Sequence, residues 1–295
     1  AIAIDWEEYA KVFPKKGGQT AMSPLPPGIP GSREGTPAGL NPHTHRWGDG
    51  KPVRRPLDDA KKLLAEAGYP NGRDAKTGKP LVINYDVYYP PTPERKPEMD
   101  WMVRQFAKID IQLDLRATDN NQFQDKIRKN KHQFFWLGWL ADYPDAENFL
   151  FLLYGPNAKS VSDGENTANY QNPEFDKLFV QLKSLDDGPA KQAVIDKMVK
   201  FAQDDAPWSM GFYPWSSVAA QKWVKNVNPA LLIRDTGKYM RLDIADREAS
   251  LAAWNKPIWW PIVGLVVVLL ALLWGVRRHF QTRERMNARG ELIQA

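Results

Sequence analysis

Three carboxylates, Asp142, Asp145 and Glu147, lie close together just after the apolar, aromatic run Phe134-Phe135-Trp136-Leu137-Gly138-Trp139-Leu140. Carboxyl groups three and five positions apart can converge in a loop, and such a pair could act as acid and base in a glycosidase-type hydrolysis. They can instead cap a turn and the helix after it, because carboxylates at a helix N-terminus are stabilised by exposed N–H groups. Capping is the preferred reading for Asp145 and Glu147. Asp142 stands beside Trp139, whose ring could serve as an apolar wall or as a cation–π face for a positively charged ligand. A plain core position is the equal alternative for Trp139.

Histidine offers less. His43 and His45 are two apart in a Pro/Gly-rich stretch, a spacing that suits a metal site on a strand or loop. A solvated pair is preferred, His132 after Lys-Asn-Lys is expected to be exposed, and His279 belongs to a basic flank. Phosphate loops of the GxxxxGK[ST] or GxGxxG type are absent, as is HExxH. With no cysteine, thiol ligands and disulfides are excluded. No catalytic, cofactor or metal site is expected.

Three motifs in order carry a family resemblance. Gly138-Trp139-Leu140-Ala141-Asp142-Tyr143, with Asp145, Glu147, Asn148 and Phe149, resembles the G-W-x-x-D-x…D-P-x-N-F segment of the family 5 extracellular solute-binding proteins of ABC importers. This is the dipeptide-, oligopeptide- and nickel-binding group. Pro24-Leu25-Pro26-Pro27-Gly28-Ile29-Pro30-Gly31 is similar to that family's G-P-I-P-P-G stretch. Pro56 to Pro70 is similar to its D-P-E-K-A-K-x-L-L-x-E-A-G helix, and Ala3 to Tyr9 to its A-I-D-R-E-E-Y. Ala146 departs from the pattern, standing where the family usually has proline. The likeness runs through roughly residues 1–245.

The resemblance implies an α/β fold, part of a two-lobed, type II periplasmic-binding-protein-like architecture, and a receptor rather than an enzyme. It implies that Asp142 pairs with a peptide's α-ammonium, that Trp139 and Tyr143 belong to the same ligand-binding set, and that Arg95 is the candidate partner of the ligand carboxylate. The implied partners are a peptide or other small solute and the permease and ATPase subunits of an ABC importer. Alternatives are an oligosaccharide receptor of the same family, with nickel complexes ranked third, and a membrane sensor or enzyme that reuses the fold.

The elements that would position these residues read as follows. Pro56 to Gly68 is a helix opened by Asp58 and Asp59, with Leu63, Leu64 and Ala67 on one face. Leu81, Ile83, Tyr85 and Val87 alternate with polar residues as a strand, 97–109 is a helix, and Ile111 to Ala117 is a second strand. Phe123 and Ile127 mark a short helix, and 133–139 reads as a covered central strand that empties into the carboxylate loop. Ligands bind at such carboxyl ends in open α/β sheets. Asn172-Pro173-Glu174 starts a helix, Pro189 to Gln203 is another, and strands are expected from Ala206 to Trp215 and from Tyr239 to Ile244. Residues 15–55 read as an irregular surface segment.

Of the net charge of +5, the five arginines and two glutamates of residues 258–295 account for +3, which leaves +2 for the body. A nucleic-acid binder would carry its excess on the folded domain, so nucleic acid is not expected as a partner. Ile258 to Val276 is a chargeless run of 19 residues, which at about 1.5 Å per residue crosses the ~30 Å hydrocarbon core. Trp254, Trp259 and Trp260 flank one end and Trp274 the other, in the manner of aromatic belts. Arg277, Arg278, Arg283, Arg285 and Arg289 place the C-terminus in the cytoplasm by the positive-inside rule.

The expected organisation is a second lobe over 1–215, a return segment to the first lobe over 216–250, a linker over 251–257, a transmembrane helix over 258–276 and a cytoplasmic basic tail over 277–295. The molecule is expected in the inner membrane as a single-pass protein with its binding domain outside. No signal peptide is visible at Ala1, so an upstream portion carrying the export signal and the rest of the first lobe is expected.

Overall fold

Asp5 accepts a hydrogen bond from the N–H of Glu8 at 2.8 Å, and this cap starts the first helix, α1 (Trp6–Val12). There follow β1 (Gly18–Thr20), a hairpin of β2 (His45–Gly48) and β3 (Lys51–Arg54), α2 (Leu57–Glu66), β4 (Val82–Val87), α3 (Lys96–Ala107), β5 (Gln112–Ala117), α4 (Asn120–Arg128) and β6 (Phe134–Phe135). The chain continues through α5 (Glu147–Leu150), α6 (Lys159–Ser162), α7 (Pro173–Leu182), α8 (Pro189–Asp204) and β7 (Phe212–Pro214). Last come β8 (Val224–Lys225), β9 (Arg241–Leu242), α9 (Ile244–Trp254) and α10 (Trp260–Ile293). This computed structural model describes residues 1–227 and 237–293, with side chains to residue 286. Residues 228–236 of the expected return segment, and the side chain of Arg289, lie outside the described residues.

The described chain divides into two units, the first spanning Ala1–Ser217. Its sheet of three parallel strands runs in the order β5-β4-β6, with Val82 opposite Gln112 and Tyr85 opposite Phe134. Parallel neighbours need crossovers, and α3 and α4 supply them. Tyr85, Val87, Ile111 and Leu113 turn into a core that also takes Trp101, Met102 and Phe106 of α3. Trp6 adds to the aromatic part of this cluster, its ring 5.6 Å from Trp101, 5.1 Å from Trp136 and 5.4 Å from Phe212. Asp86 of β4 is almost fully buried, and its carboxylate is met by the ammonium of Lys126 on α4. The pair keeps the buried charge compensated.

A second cluster joins Leu25 and Ile29 to Ala146, Phe149 and Leu150, to Phe175, Phe179 and Leu182 of α7, and to Val194, Ile195, Met198 and Ala202 of α8. Asn172 caps α7 by accepting from the N–H groups of Glu174 at 3.0 Å and Phe175 at 3.3 Å, with Pro173 in the first turn. β7 returns from α8 to pair antiparallel with β1, Gly18 opposite Pro214. A side chain at Gly18 would come within 2.0 Å of the Tyr213 carbonyl oxygen, so this pairing requires glycine.

Several expectations are corrected here. The central strand expected over 133–139 pairs only at Phe134 and Phe135, and residues 136–141 are irregular and partly exposed, Leu140 by 82%. Its aromatic content comes from side chains that reach two different cores, not from a ladder. The expected surface segment 15–55 holds β1 and the β2–β3 hairpin and sends Ala21, Met22, Leu25 and Ile29 inside. Proline-rich backbone has no repeat for a periodicity to reveal. On α2 the exposed Leu63 yields the buried face to Ala60. The strands expected over 206–215 and 239–244 shrink to β7 and β9.

In the second unit, β8 pairs antiparallel with β9, and Trp223 is buried with its ring 5.2 Å from Trp254 of α9. Asp243 caps α9 by accepting from the N–H of Asp246 at 3.1 Å. Residues 260–286 of α10 form a helical stretch of 27 residues whose most apolar 18-residue window has a mean hydropathy of 2.1, none of that window buried by other parts of the chain.

Candidate functional site

The segment after β6 reaches the second cluster with alternating contacts. Trp136 lies against the first core, stacked at 5.5 Å on Phe212, while Trp139 and Ala141 lie against the second. A Cβ on Gly211 would stand 2.4 Å from the Trp136 ring, so glycine there lets the indole rest on the 211 backbone. Leu137 and Leu140 are left exposed.

Asn148 holds the next turn. Its side chain is buried, and its Oδ1 accepts from the indole N–H of Trp139 at 3.1 Å and from the backbone N–H of Asp142 at 3.0 Å. One amide oxygen thereby fixes the ring and the peptide group of two candidate residues, each bond worth about 0.5–1.5 kcal/mol net. Trp139 also meets Phe151 edge-on at 5.3 Å. The Asp142 side chain is exposed, as is Tyr143. The Tyr143 hydroxyl donates to the Glu147 carboxylate. Partial burial, with Glu147 acting in the same sense, raises the Tyr143 pKa above the usual tyrosine value.

Asp145 is committed to structure. Its Oδ1 accepts from the N–H of Glu147 at 2.8 Å at the start of α5, and its Oδ2 accepts from Lys191 of α8 at 2.6 Å. The Asp145 hydrogen bond, more than the Asp187 contact at 2.9 Å, raises the Lys191 pKa against the opposing effect of its burial. Asp145 therefore holds the first N–H of α5 and ties the loop to α8, and Glu147 holds Tyr143. Asp145 thus takes a first-turn N–H as the turn-capping reading expects, whereas the Glu147 carboxylate is turned to Tyr143 and caps no helix.

The structure thus brings Trp139, Asp142 and Tyr143 together around Asn148 and Glu147. It places Arg95 elsewhere, exposed at the start of α3 with its guanidinium 4.8 Å over the Tyr89 ring. Sequence reasoning gives no role to Asn148 or Lys191. A lone amide between Glu147 and the apolar Phe149-Leu150-Phe151 run is the available signal for Asn148, since a polar side chain on a buried face must have partners.

Two histidine expectations are corrected. His43 is solvent-exposed and bonded to Asp204 at 2.9 Å, but His45 is buried, with Nδ1 2.9 Å from the Thr44 hydroxyl and its pKa lowered to about 4, chiefly by burial. His132 is half-buried, Nε2 3.1 Å from the Thr167 carbonyl oxygen. Among the described residues no cluster of three or more histidine or carboxylate groups could hold a metal.

A parallel sheet with crossover helices carries an aromatic and carboxylate loop beyond a strand's carboxyl end, the position at which open α/β sheets bind ligands. Residues 1–160 match the bacterial extracellular solute-binding proteins, family 5, middle region, and the chain belongs to that family of non-enzymatic solute-binding proteins. It is 27% identical over 222 residues to the heme-binding protein A of Haemophilus influenzae, covering 72% of this chain and 36% of that protein. It is 24% identical over 224 residues to the periplasmic oligopeptide-binding protein OppA of Salmonella typhimurium, covering 76% and 37%.

Among solved structures, the periplasmic binding protein DppA of Helicobacter pylori in complex with the peptide STSA matches with a TM-score of 0.60 at 25% identity, covering 76% of this chain and 39% of that one. OppA of Burkholderia pseudomallei matches with a TM-score of 0.59 at 22% identity, covering 82% and 44%. The chain spans little more than a third of the length of the curated relatives it matches. The fold is the expected one, α/β and part of a type II periplasmic binding protein.

Proposed function

We propose that this chain supplies the ligand-contacting lobe of a peptide receptor for an ABC importer, held at the membrane by α10. The observation that carries the reading is the Asn148 clamp, which fixes the Trp139 ring and the Asp142 backbone while leaving the Asp142 side chain exposed. A carboxylate beside a fixed aromatic wall suits a peptide's α-ammonium. Enclosure by a second lobe would lower the local dielectric and strengthen the pair. The exposed Leu137 and Leu140 suit contact with that lobe or with the ligand. The peptide named in the H. pylori complex and the oligopeptide-binding name of the Salmonella relative favour the same ligand class.

In this reading residues 1–215 form one lobe, 216–250 return toward the other, and lobe closure around the ligand shifts the population toward the closed state. Ligand then passes to permease and ATPase subunits. α10, 34 residues long, reaches about 50 Å at ~1.5 Å per residue, enough to cross the hydrocarbon core and extend beyond it. The exposed apolar side chains of 260–276 would be covered by lipid, and the arginines from 277 onward would lie on the cytoplasmic side.

The test is calorimetric titration of a two-lobed protein containing this chain with a mixed short-peptide library, then with oligosaccharides and with heme. Asp142→Asn is expected to weaken peptide binding at least tenfold, about 1.4 kcal/mol. Unchanged affinity removes the ammonium role, and binding of sugar or heme alone replaces the ligand class. A reporter fused after Ala295 is expected to be cytoplasmic, and activity on the outer side would reverse the topology.

A further inference from the structure

Glu34 is a half-buried acid that the binding reading leaves unused. Its Oε1 lies 2.8 Å from the Tyr213 hydroxyl on β7 and accepts from the Met22 N–H at 2.9 Å. Its Oε2 is buried with no hydrogen-bond partner. The Tyr213 hydroxyl also lies 2.7 Å from the Ser23 carbonyl oxygen and 3.0 Å from that of Leu25.

These distances set a proton count. Three oxygens surround a hydroxyl that carries one hydrogen, and carbonyl oxygens have none to give. The Leu25 carbonyl has another donor, the Ser32 hydroxyl at 3.1 Å. The Ser23 carbonyl, with the shortest contact, takes the Tyr213 hydrogen. The remaining contact, Glu34 to Tyr213, then needs a hydrogen from the carboxyl group. An ionised Glu34 would instead leave the Ser23 carbonyl facing an oxygen lone pair, and would bury a charged Oε2 without a partner, which is costly. We propose that Glu34 holds a proton at neutral pH, donates it to Tyr213, and acts as a positioning residue that seats the proline-rich loop behind Asn148.

The consequence follows from packing. Leu25 and Ile29, carried by the loop that Glu34 closes, belong to the same buried cluster as Ala146, Phe149 and Leu150 on either side of Asn148. Burial is the largest influence on the Glu34 carboxyl and raises its pKa. The titratable group facing it from β7 is Tyr213, its pKa raised chiefly by burial. From α8 comes the neutral Gln203, which donates to the Met22 carbonyl at 3.0 Å, while the nearby Arg33 is paired with Asp196 at 2.9 Å.

This assignment rests on the binding-site reading of the Asn148 loop, and its tests use no ligand, so the two can fail separately. The whole chain in detergent micelles at pH 7 is expected to show the infrared carbonyl band of a protonated carboxylic acid, absent from Glu34→Gln. Absence of that band from the natural protein overturns the proposal. Hydrogen exchange then reads the positioning. As pH rises and the band disappears, protection of the Asp142 amide, corrected for intrinsic rates, is expected to fall at least tenfold, with the β4 amides unchanged. Tyr213→Phe is expected to produce the same selective loss at pH 7. An Asp142 amide equally protected with and without the acid band contradicts the role, and the titration of the natural protein decides this even if a variant fails to fold.

Discussion

The two cores of the first unit satisfy their backbones in different ways. Around the first, β4, β5 and β6 form a hydrogen-bonded ladder, and side chains mainly fill space. Around the second, much of the chain is irregular between short helices, and buried side chains take over the ladder's task. Asn148 accepts from Trp139 and Asp142, and Asn166, fully buried, donates to the carbonyls of Tyr154 at 3.1 Å and Tyr170 at 2.9 Å and accepts from the Tyr170 N–H at 3.1 Å. Asp176 accepts from the Gly155 N–H at 2.8 Å. The first region has a buried amide too, Gln105, but it serves the start of α1 by accepting from Asp5 N–H at 3.3 Å. A ladder needs regular backbone, whereas side-chain partners leave the chain free to make the turn that exposes Asp142.

The largest effects should not distinguish the regions. Trp101→Ala in the first and Phe175→Ala in the second each leave a large void, and each is expected to cost about 3–5 kcal/mol in denaturant unfolding. If one is nearly silent, its cluster is not a packed core.

Polar deletions should separate them. Asn166→Ala is expected to cost about 2–3 kcal/mol, because three backbone groups lose their buried partner. Asp114→Ala on the exposed edge of β5, where the lost partner is Arg116 at 3.0 Å, is expected to stay within about 0.5 kcal/mol. Equal costs would erase the contrast.

Stability should respond to pH in opposite senses. His45, beside Ile2, Ile4 and Trp6 of the first core, has its pKa lowered to about 4 from 6.5. The unfolded chain therefore binds more protons between those values, and stability is lost as pH falls through that window, with a slope of at most about 1.4 kcal/mol per pH unit. Glu34 is shifted the other way, upward. Its contribution is fully present below the unfolded carboxyl value and is lost as pH rises through the folded one. His45→Gln should flatten the acid limb and Glu34→Gln the alkaline limb in thermal unfolding against pH.

What can be read from the sequence follows the same division. The first region's β4, α3, β5 and α4 appear at close to their expected bounds because alternation and helical spacing record a buried face directly. In the second region only α7 and α8, long enough to show a stripe, are legible. Residues 136–141 resemble a strand because Trp136 and Trp139 are apolar, yet each serves a different core and Leu137 and Leu140 serve neither. The burial of Leu25 and His45, and the clamp at Asn148, depend on contacts far along the chain that no local pattern encodes. Asp142, Trp139 and Tyr143 are named by a motif, and the structure adds what holds them in place.

The central claim is that Asp142 meets a peptide's α-ammonium, and a thermodynamic cycle tests it most directly. A two-lobed protein containing this chain, in its natural form and as the Asp142→Asn variant, would be titrated with one peptide bearing a free amino terminus and with its N-acetylated form. The account predicts that acetylation weakens binding at least tenfold when Asp142 is present and has little further effect in Asp142→Asn, a coupling of about 1.4 kcal/mol or more. Additive losses, or acetylation that costs nothing, would contradict it.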